Sequence, residues 1–256
     1  MKNILFAHCT GGIGDKFKIL CNTMYLAEIW DKKLIIKWSK GAHCKLPFEE
    51  MFSNHYELCN TDIPDCKRLG HLDRLHTAPP GDVYIKSGSI TQYKSSLIPI
   101  EQFLNQMGQL QINHQLSEKA RYLKKQFNLS PNDYGFHMRR TDKGHIVTIE
   151  QQLSKLAELV VGNQKILVTS DEARAEQEAK LRFPDNVIVR QKSFPEFFNG
   201  KINRSGKSIR AGLIDLLLLI TTTFVSCRPS SAFANTVKYL QLAPKCKPRK
   251  FLLTMK

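Results

Sequence analysis

The 256-residue sequence predicts an α/β protein in two halves, each built on a parallel sheet. Three observations carry this expectation. The start of the chain reads strand, glycine turn, helix, strand, which is the pattern of a βαβ unit. From residue 131 onward, short β-rich runs alternate regularly with helical stretches. Between these regions lies the turn-rich "NLSPND" (Asn128–Asp133), so the expected domains are 1–130 and 131–256.

Taken in order, "KNILFA" is a short apolar run and "GGIGD" a glycine turn. "FKILCNTMYLAEIW" follows with apolar residues at Phe17, Leu20, Cys21, Met24 and Leu26, a helical recurrence. "KLIIKW" returns as a second strand. Residues 40–100 are irregular and rich in turn formers, with "TAPPGD" (Thr77–Asp82) the clearest break. Two helices are expected next, in "SSLIPIEQFLNQMG" and in "SEKARYLKKQFNLS", the second capped by Ser117. In the second half "YGFHM", "KILVTS", "NVIVR" and "TFVSC" read as strands. Helices are expected at "TIEQQLSKLAELV", "DEARAEQEAKLRF", "SIRAGLIDLLLLI" and "SSAFANTVKYLQ", with a basic loop before the third.

A hydrophobic share of 42% with 24% charged residues describes an ordinary globular chain and excludes a disordered one. The net charge of +15 is uneven: from Pro131 onward 21 basic residues stand against 11 acidic ones. Such a balance suits an anionic partner, whether nucleic acid, anionic lipid or a phosphate-bearing small molecule. The seven cysteines form no C-x-x-C pair and no secretory signal is visible, so free thiols in a reducing cytoplasm are expected. His43, Cys44, His55, Cys59, Cys66, His71 and His76 form a loose set whose spacings match no common zinc pattern. "IRAGLIDLLLLITTTFVSC" is long enough to span a bilayer, but Arg210 and Asp215 interrupt it, which favours a buried helix followed by a strand.

Chemistry concentrates in a few places. "HMRRTDK" (His137–Lys143) stands at a strand end, where Arg139 and Arg140 can grip phosphate oxygens through their planar forks and Asp142 can orient an arginine. The alternative is an exposed strand end carrying an ordinary Arg–Asp pair. "CRPSSAF" places Ser230 and Ser231 as natural N-caps, and a helix N-terminus is an anion site, although simple capping needs no ligand. Together the two elements read as a pyrophosphate cradle. In "GGIGD", Gly12, Gly14 and Asp15 mark a tight turn with close backbone approach to a ligand or to the facing domain. It is not the dinucleotide fingerprint, which would need a glycine where Phe17 stands. Asp215, a lone acid in "GLIDLLLLI", either pairs with Arg210 or caps a neighbouring element, or faces the cleft and accepts hydrogen bonds from a base. Asp171 and Glu172 stand past another strand end, where helix capping is the alternative and the favoured one for Glu172.

Read together, these residues resemble the inverting fucosyltransferases of the α1,6/α1,2/protein-O group, which includes the core α1,6-fucosyltransferases and the nodulation-factor enzymes. "HMRRTDK" looks like that group's H-V-R-R-T-D-K motif with Met138 in place of valine. The likeness continues through "LVTSDEARAEQEAKLRFPD" and "IRAGLIDLLLLITTTFVSCRPSSAFANTVKYL", and more loosely "GGIGDK…IIKW"; residues 41–125 carry no match. The resemblance implies an α/β, GT-B-like fold of two Rossmann-like domains facing a cleft, the first on the acceptor side and the second binding the nucleotide sugar. It implies GDP-fucose as donor substrate with no metal and no other cofactor, in keeping with the lack of a D-x-D pair. By position, Arg139 would contact the β-phosphate and Arg140 would support the site. His137 and Asp215 would lie at the guanine, Ser230 or Ser231 at the phosphates, and Gly12, Gly14 and Asp15 would approach from the first domain.

The sequence departs from the α1,6 branch where a candidate catalytic glutamate is expected, because Val147 stands there. His145 and Glu150 are the nearest proton acceptors, unless a phosphate oxygen takes the proton. The expectation is a cytoplasmic glycosyltransferase that moves fucose to a glycan or glycolipid hydroxyl. Two rivals are a transferase using another nucleotide sugar and a basic nucleic-acid-binding protein. The second draws on "RQKSFPEFFNGKINRSGKSIR", but no nucleic-acid-binding signature supports it. The basic tail "KCKPRKFLLTMK" suits contact with an anionic membrane surface.

Overall fold

The computed structural model describes residues 2–64, 66–69, 77–86, 98–140, 147–198, 201–226 and 231–243. The chain forms two compact units, one made of the residues up to Asn113 together with Leu242 and Ala243, the other running from His114 to Gln241.

The first unit contains β1 (Ile4–Cys9), α1 (Ile13–Ile29), β2 (Lys33–Trp38), α2 (Phe48–Met51), β3 (Glu57–Leu58), β4 (Lys67–Arg68), β5 (Val83–Lys86) and α3 (Ile100–Gln109). Its five strands pair in the order β3-β2-β1-β5-β4, all parallel. The expected βαβ unit is therefore present, and the irregular stretch after it supplies three further strands. The glycine turn has a backbone reason. Gly11 takes φ +82°, and a Cβ there would meet the Asp15 carboxylate at 3.0 Å. Behind the turn, Phe17, Leu20, Cys21 and Leu26 face the core. Burial pushes the Cys9 thiol up to about 12 and the Cys21 thiol higher still, which leaves both unreactive.

The second unit contains α4 (His114–Gln126), β6 (Tyr134–Met138), α5 (Ile149–Ala157), β7 (Ile166–Ser170), α6 (Ala173–Arg182), β8 (Val187–Ile188), β9 (Glu196–Phe198), β10 (Lys201–Asn203), α7 (Gly206–Leu219), β11 (Thr223–Ser226) and α8 (Ala232–Leu242). The sheet runs β11-β6-β7-β8, all parallel, and β9 and β10 form an antiparallel hairpin within the expected basic loop. Helix α4 begins at His114, so Ser117 lies inside it, buried, and is not its cap. It packs along α7 and so groups with the second unit, although the turn signal stands at residue 130. Thr148 caps α5 in a reciprocal box with Gln151, and Ser205 caps α7.

Central strand β6 is covered on both faces, as expected of a strand in a parallel sheet. Phe136 and Met138 join Leu153, Leu156, Val168 and Ala179 in one core. On the opposite face a Cβ at Gly135 would meet Thr222 Oγ1 at 2.2 Å and Leu219 Cδ2 at 2.8 Å. Gly135→Ala is therefore expected to lower stability by about 1–3 kcal/mol through overpacking. Urea unfolding measures this, and an unchanged midpoint would contradict it. Among the described residues no helix is long and apolar enough to cross a membrane.

Candidate functional site

In the second unit the chemistry gathers at the carboxyl ends of β6 and β7, the edge where parallel α/β sheets bind ligands. Register places His137 beside Thr169 and Met138 beside Ser170. Arg139 and Arg140 follow the first strand, Asp171 and Glu172 the second. Asp171 binds both arginines. Its Oδ2 accepts from Arg139 Nη1 at 2.8 Å and its Oδ1 accepts from the Arg140 backbone N–H at 2.8 Å. The Arg140 side chain donates to Glu172 Oε2 at 3.1 Å and to the Val147 carbonyl at 2.6 Å. These bonds give the two arginines different duties. Arg140 braces the segment after β6, whereas the Arg139 side chain keeps 21% of its surface exposed and can meet an anion.

Asp171 orients Arg139; Asp142, expected in such a part, lies outside the described residues, as do His145 and Ser230. Ser231 is buried at the start of α8, where its hydroxyl accepts from the Ala234 N–H at 3.4 Å. Glu150 sits exposed in the first turn of α5, paired with Arg182 at the far end of α6. The structure therefore does not gather it with Arg139 and Asp171.

His137 points to the face of the sheet on which Gly135 lies. Its Nδ1 is 3.1 Å from Thr169 Oγ1, its ring lies 4.6 Å from that of Phe233 on α8, and its buried Nε2 has no partner among the described residues. Burial is the main reason its pKa falls to about 4, with the Arg139 and Lys192 charges adding to it against Asp171 and Asp215. The imidazole is thus neutral at neutral pH. Since the folded chain resists protonating it, its contribution to stability is complete above the ordinary value of 6.5 and is lost as pH falls from there toward about 4. In a nuclear magnetic resonance titration, the His137 ring signal is expected to stay unshifted from about pH 8 to 5. A midpoint near the ordinary histidine value would contradict this burial.

Beneath this edge lies an ionic cluster that sequence reasoning missed. Asp215 on α7 binds Arg190 Nε at 2.7 Å and Lys192 Nζ at 2.5 Å. Lys192 also binds Glu176 at 2.5 Å, and Glu176 accepts from the Ser170 N–H. Burial pushes the Glu176 carboxyl up to about 7, while Lys192 opposes the rise. Ser170 completes the link by donating its hydroxyl to the Met138 carbonyl and accepting from the Glu172 N–H. The cluster thus holds the ends of β6 and β7 at one spacing. A signal existed for half of it: a buried acid in an apolar helix demands a cation. Nothing local named Lys192 or Glu176 as the other members.

In the first unit, Gly12 is the N-cap of α1 and its N–H donates to Asp15 at 3.3 Å, while Gly14 is buried in the first turn. Lys16, next in line, is fully buried. It donates to the Cys9 and Ser39 carbonyls at 2.9 and 2.7 Å and lies over the Trp38 ring. It ties the ends of β1 and β2 together. Among the described residues no group of three or more His, Cys, Asp or Glu could hold a metal ion.

No family model matches the chain, and no curated protein matches it by sequence. Its fold, by contrast, is found among solved structures. The NodZ α-1,6-fucosyltransferase co-crystallised with GDP superposes with a TM-score of 0.68 at 14% identity, covering 95% of this chain and 93% of that one. The same enzyme from Bradyrhizobium gives 0.69. POFUT1 in complex with GDP gives 0.56 at 12% identity over 96% of this chain and 97% of that one. Arabidopsis thaliana FUT1 in complex with GDP gives 0.59 at 12% identity over 94% and 68%. The chain has the GT-B-like α/β fold of these fucosyltransferases.

Proposed function

We propose that this protein is an inverting glycosyltransferase that moves fucose from GDP-fucose to a hydroxyl of a glycan or glycolipid. The observation that carries the reading is the Arg139–Asp171 pair at the carboxyl edge of the second sheet, set beside the neutral, buried His137, whose Nε2 has no partner among the described residues. A fold shared with fucosyltransferases crystallised with GDP supports it. In this reading residues 131–256 bind the donor and 1–130 face the acceptor.

Arg139, aimed by Asp171, takes the diphosphate, and its fixed charge stabilises the negative charge that develops as GDP departs. The first N–H groups of α8, beginning at Ser231, add a partial positive charge of the same use. His137 Nε2 meets the base, and Phe233 keeps the imidazole in place. Asp215, already neutralised by two cations, positions the base pocket from behind. For the proton of the acceptor hydroxyl, His145 or a phosphate oxygen is the acceptor in this scheme, since Glu150 is engaged with Arg182. The reaction is written without a metal, the cationic side chains supplying the charge.

A panel of nucleotide sugars, each incubated with the protein and assayed for hydrolysis, tests the reading. GDP-fucose should be consumed ahead of ADP- and UDP-linked sugars; indifference to the base would remove His137 from its role. A cytoplasmic protein whose basic tail rests on anionic membrane is also part of the proposal, and liposome flotation without lipid preference would remove that part.

A further inference from the structure

The first unit carries a second cationic edge that the donor reading leaves unused. Register pairs His8 of β1 with Lys37 of β2 on one side and with Lys86 of β5 on the other, so all three side chains project from one face of the sheet. Arg68 of β4 pairs with Tyr84, two residues before Lys86, and therefore joins the same face. Each of these residues is at or next to the carboxyl end of its strand. Strand β1 is also where the sheet order reverses, with β2 and β3 on one side and β5 and β4 on the other. Parallel α/β sheets take their ligands in the crevice at such a point.

The local charge is positive. His8 is held down at about 4 by burial first, then by the positive charges of Lys86, Lys37, Lys16 and Arg68. Among the described residues, the ion pair recorded for the edge is Lys37 with the exposed Asp62 at 2.8 Å, a contact that solvent weakens. Ser39 adds a hydroxyl 2.8 Å from His8 Nε2. Tyr84, half-buried, stands opposite Arg68 in register, and an aromatic ring of this kind can pack on the apolar side of a sugar.

We propose that this edge binds an anionic group, a phosphate, sulfate or carboxylate, carried by the acceptor sugar. That the ligand is an acceptor rests on the glycosyltransferase reading; that the edge takes an anionic sugar does not. Arg68 supplies a planar fork and Lys86 a mobile point charge, a pairing suited to tetrahedral or carboxylate oxygens.

Calorimetric titration with glucose 6-phosphate, galacturonate and glucose tests it on the whole chain. The charged sugars are expected to bind at least about tenfold more tightly than glucose, the worth of one charge-assisted contact. Lys86→Gln with Arg68→Gln should erase that advantage, and Lys86→Arg with Arg68→Lys should keep most of it. Saturating GDP should not displace glucose 6-phosphate. Equal binding of charged and neutral sugars, an unaffected double glutamine variant, or displacement by GDP would each overturn the assignment. Failure of the protein to bind GDP in a separate titration counts against the donor reading alone.

Discussion

Arg139→Ala is expected to lower donor turnover by roughly 10²–10³-fold, the scale of removing one preorganised group that meets developing charge. Its melting temperature should move little, because Arg139 is a partly exposed side chain whose partner Asp171 retains the Arg140 amide. Lysine at this position should not restore the rate. An ammonium cannot both hold Asp171 and present two parallel N–H groups to phosphate. Arg140→Ala gives the contrasting result, losing stability along with turnover, since that side chain ties Glu172 to the Val147 carbonyl. Hydrolysis of GDP-fucose measured beside thermal unfolding separates the two. An Arg139→Ala enzyme with undiminished turnover would end the site assignment.

The second large effect is on folding. Lys192→Met should cost about 3–5 kcal/mol, because it leaves two buried carboxylates with one cation fewer between them. The side chains of Lys192, Glu176 and Asp215 are 3%, 4% and 5% exposed, so water cannot take over the lost contact. Adding Glu176→Gln to Lys192→Met should recover part of the loss, as the uncompensated charge goes with it. The surface pair Lys2–Asp31 supplies the scale: Lys2→Met should cost no more than about 1 kcal/mol. Urea unfolding of the three variants checks the set, and a Lys192→Met cost as small as that of Lys2→Met would show the cluster to be hydrated in solution.

Much of the architecture was legible because its signals are local. The helical recurrence from Phe17, the apolar runs of β1, β2, β6 and β7, and the serine before α8 each lie within a few residues of what they specify. The domain edge was less legible, because α4 joins the second unit by packing on α7, a partner far along the chain. Strands β4 and β5, two and four residues long, are too short to show alternation, and hydrogen bonding to a neighbour alone defines them. The hairpin of β9 and β10 was hidden in the same way inside a loop chosen for its charge.

The candidate site divides along the same line. The sequence by itself determined that arginines would stand at the end of β6 and that Ser231 would open a helix, since strand length and capping chemistry settle both locally. Only the tertiary structure decided which acid holds Arg139 and which cations hold Asp215. Asp171 lies thirty-two residues from Arg139, and Lys192 twenty-three from Asp215, yet strand order and helix packing bring each pair to hydrogen-bonding distance. The physical reason is that a buried charge states only that it needs a partner. Which partner it receives depends on the sheet order that carries distant segments to one edge, and that order is a property of the whole packed chain.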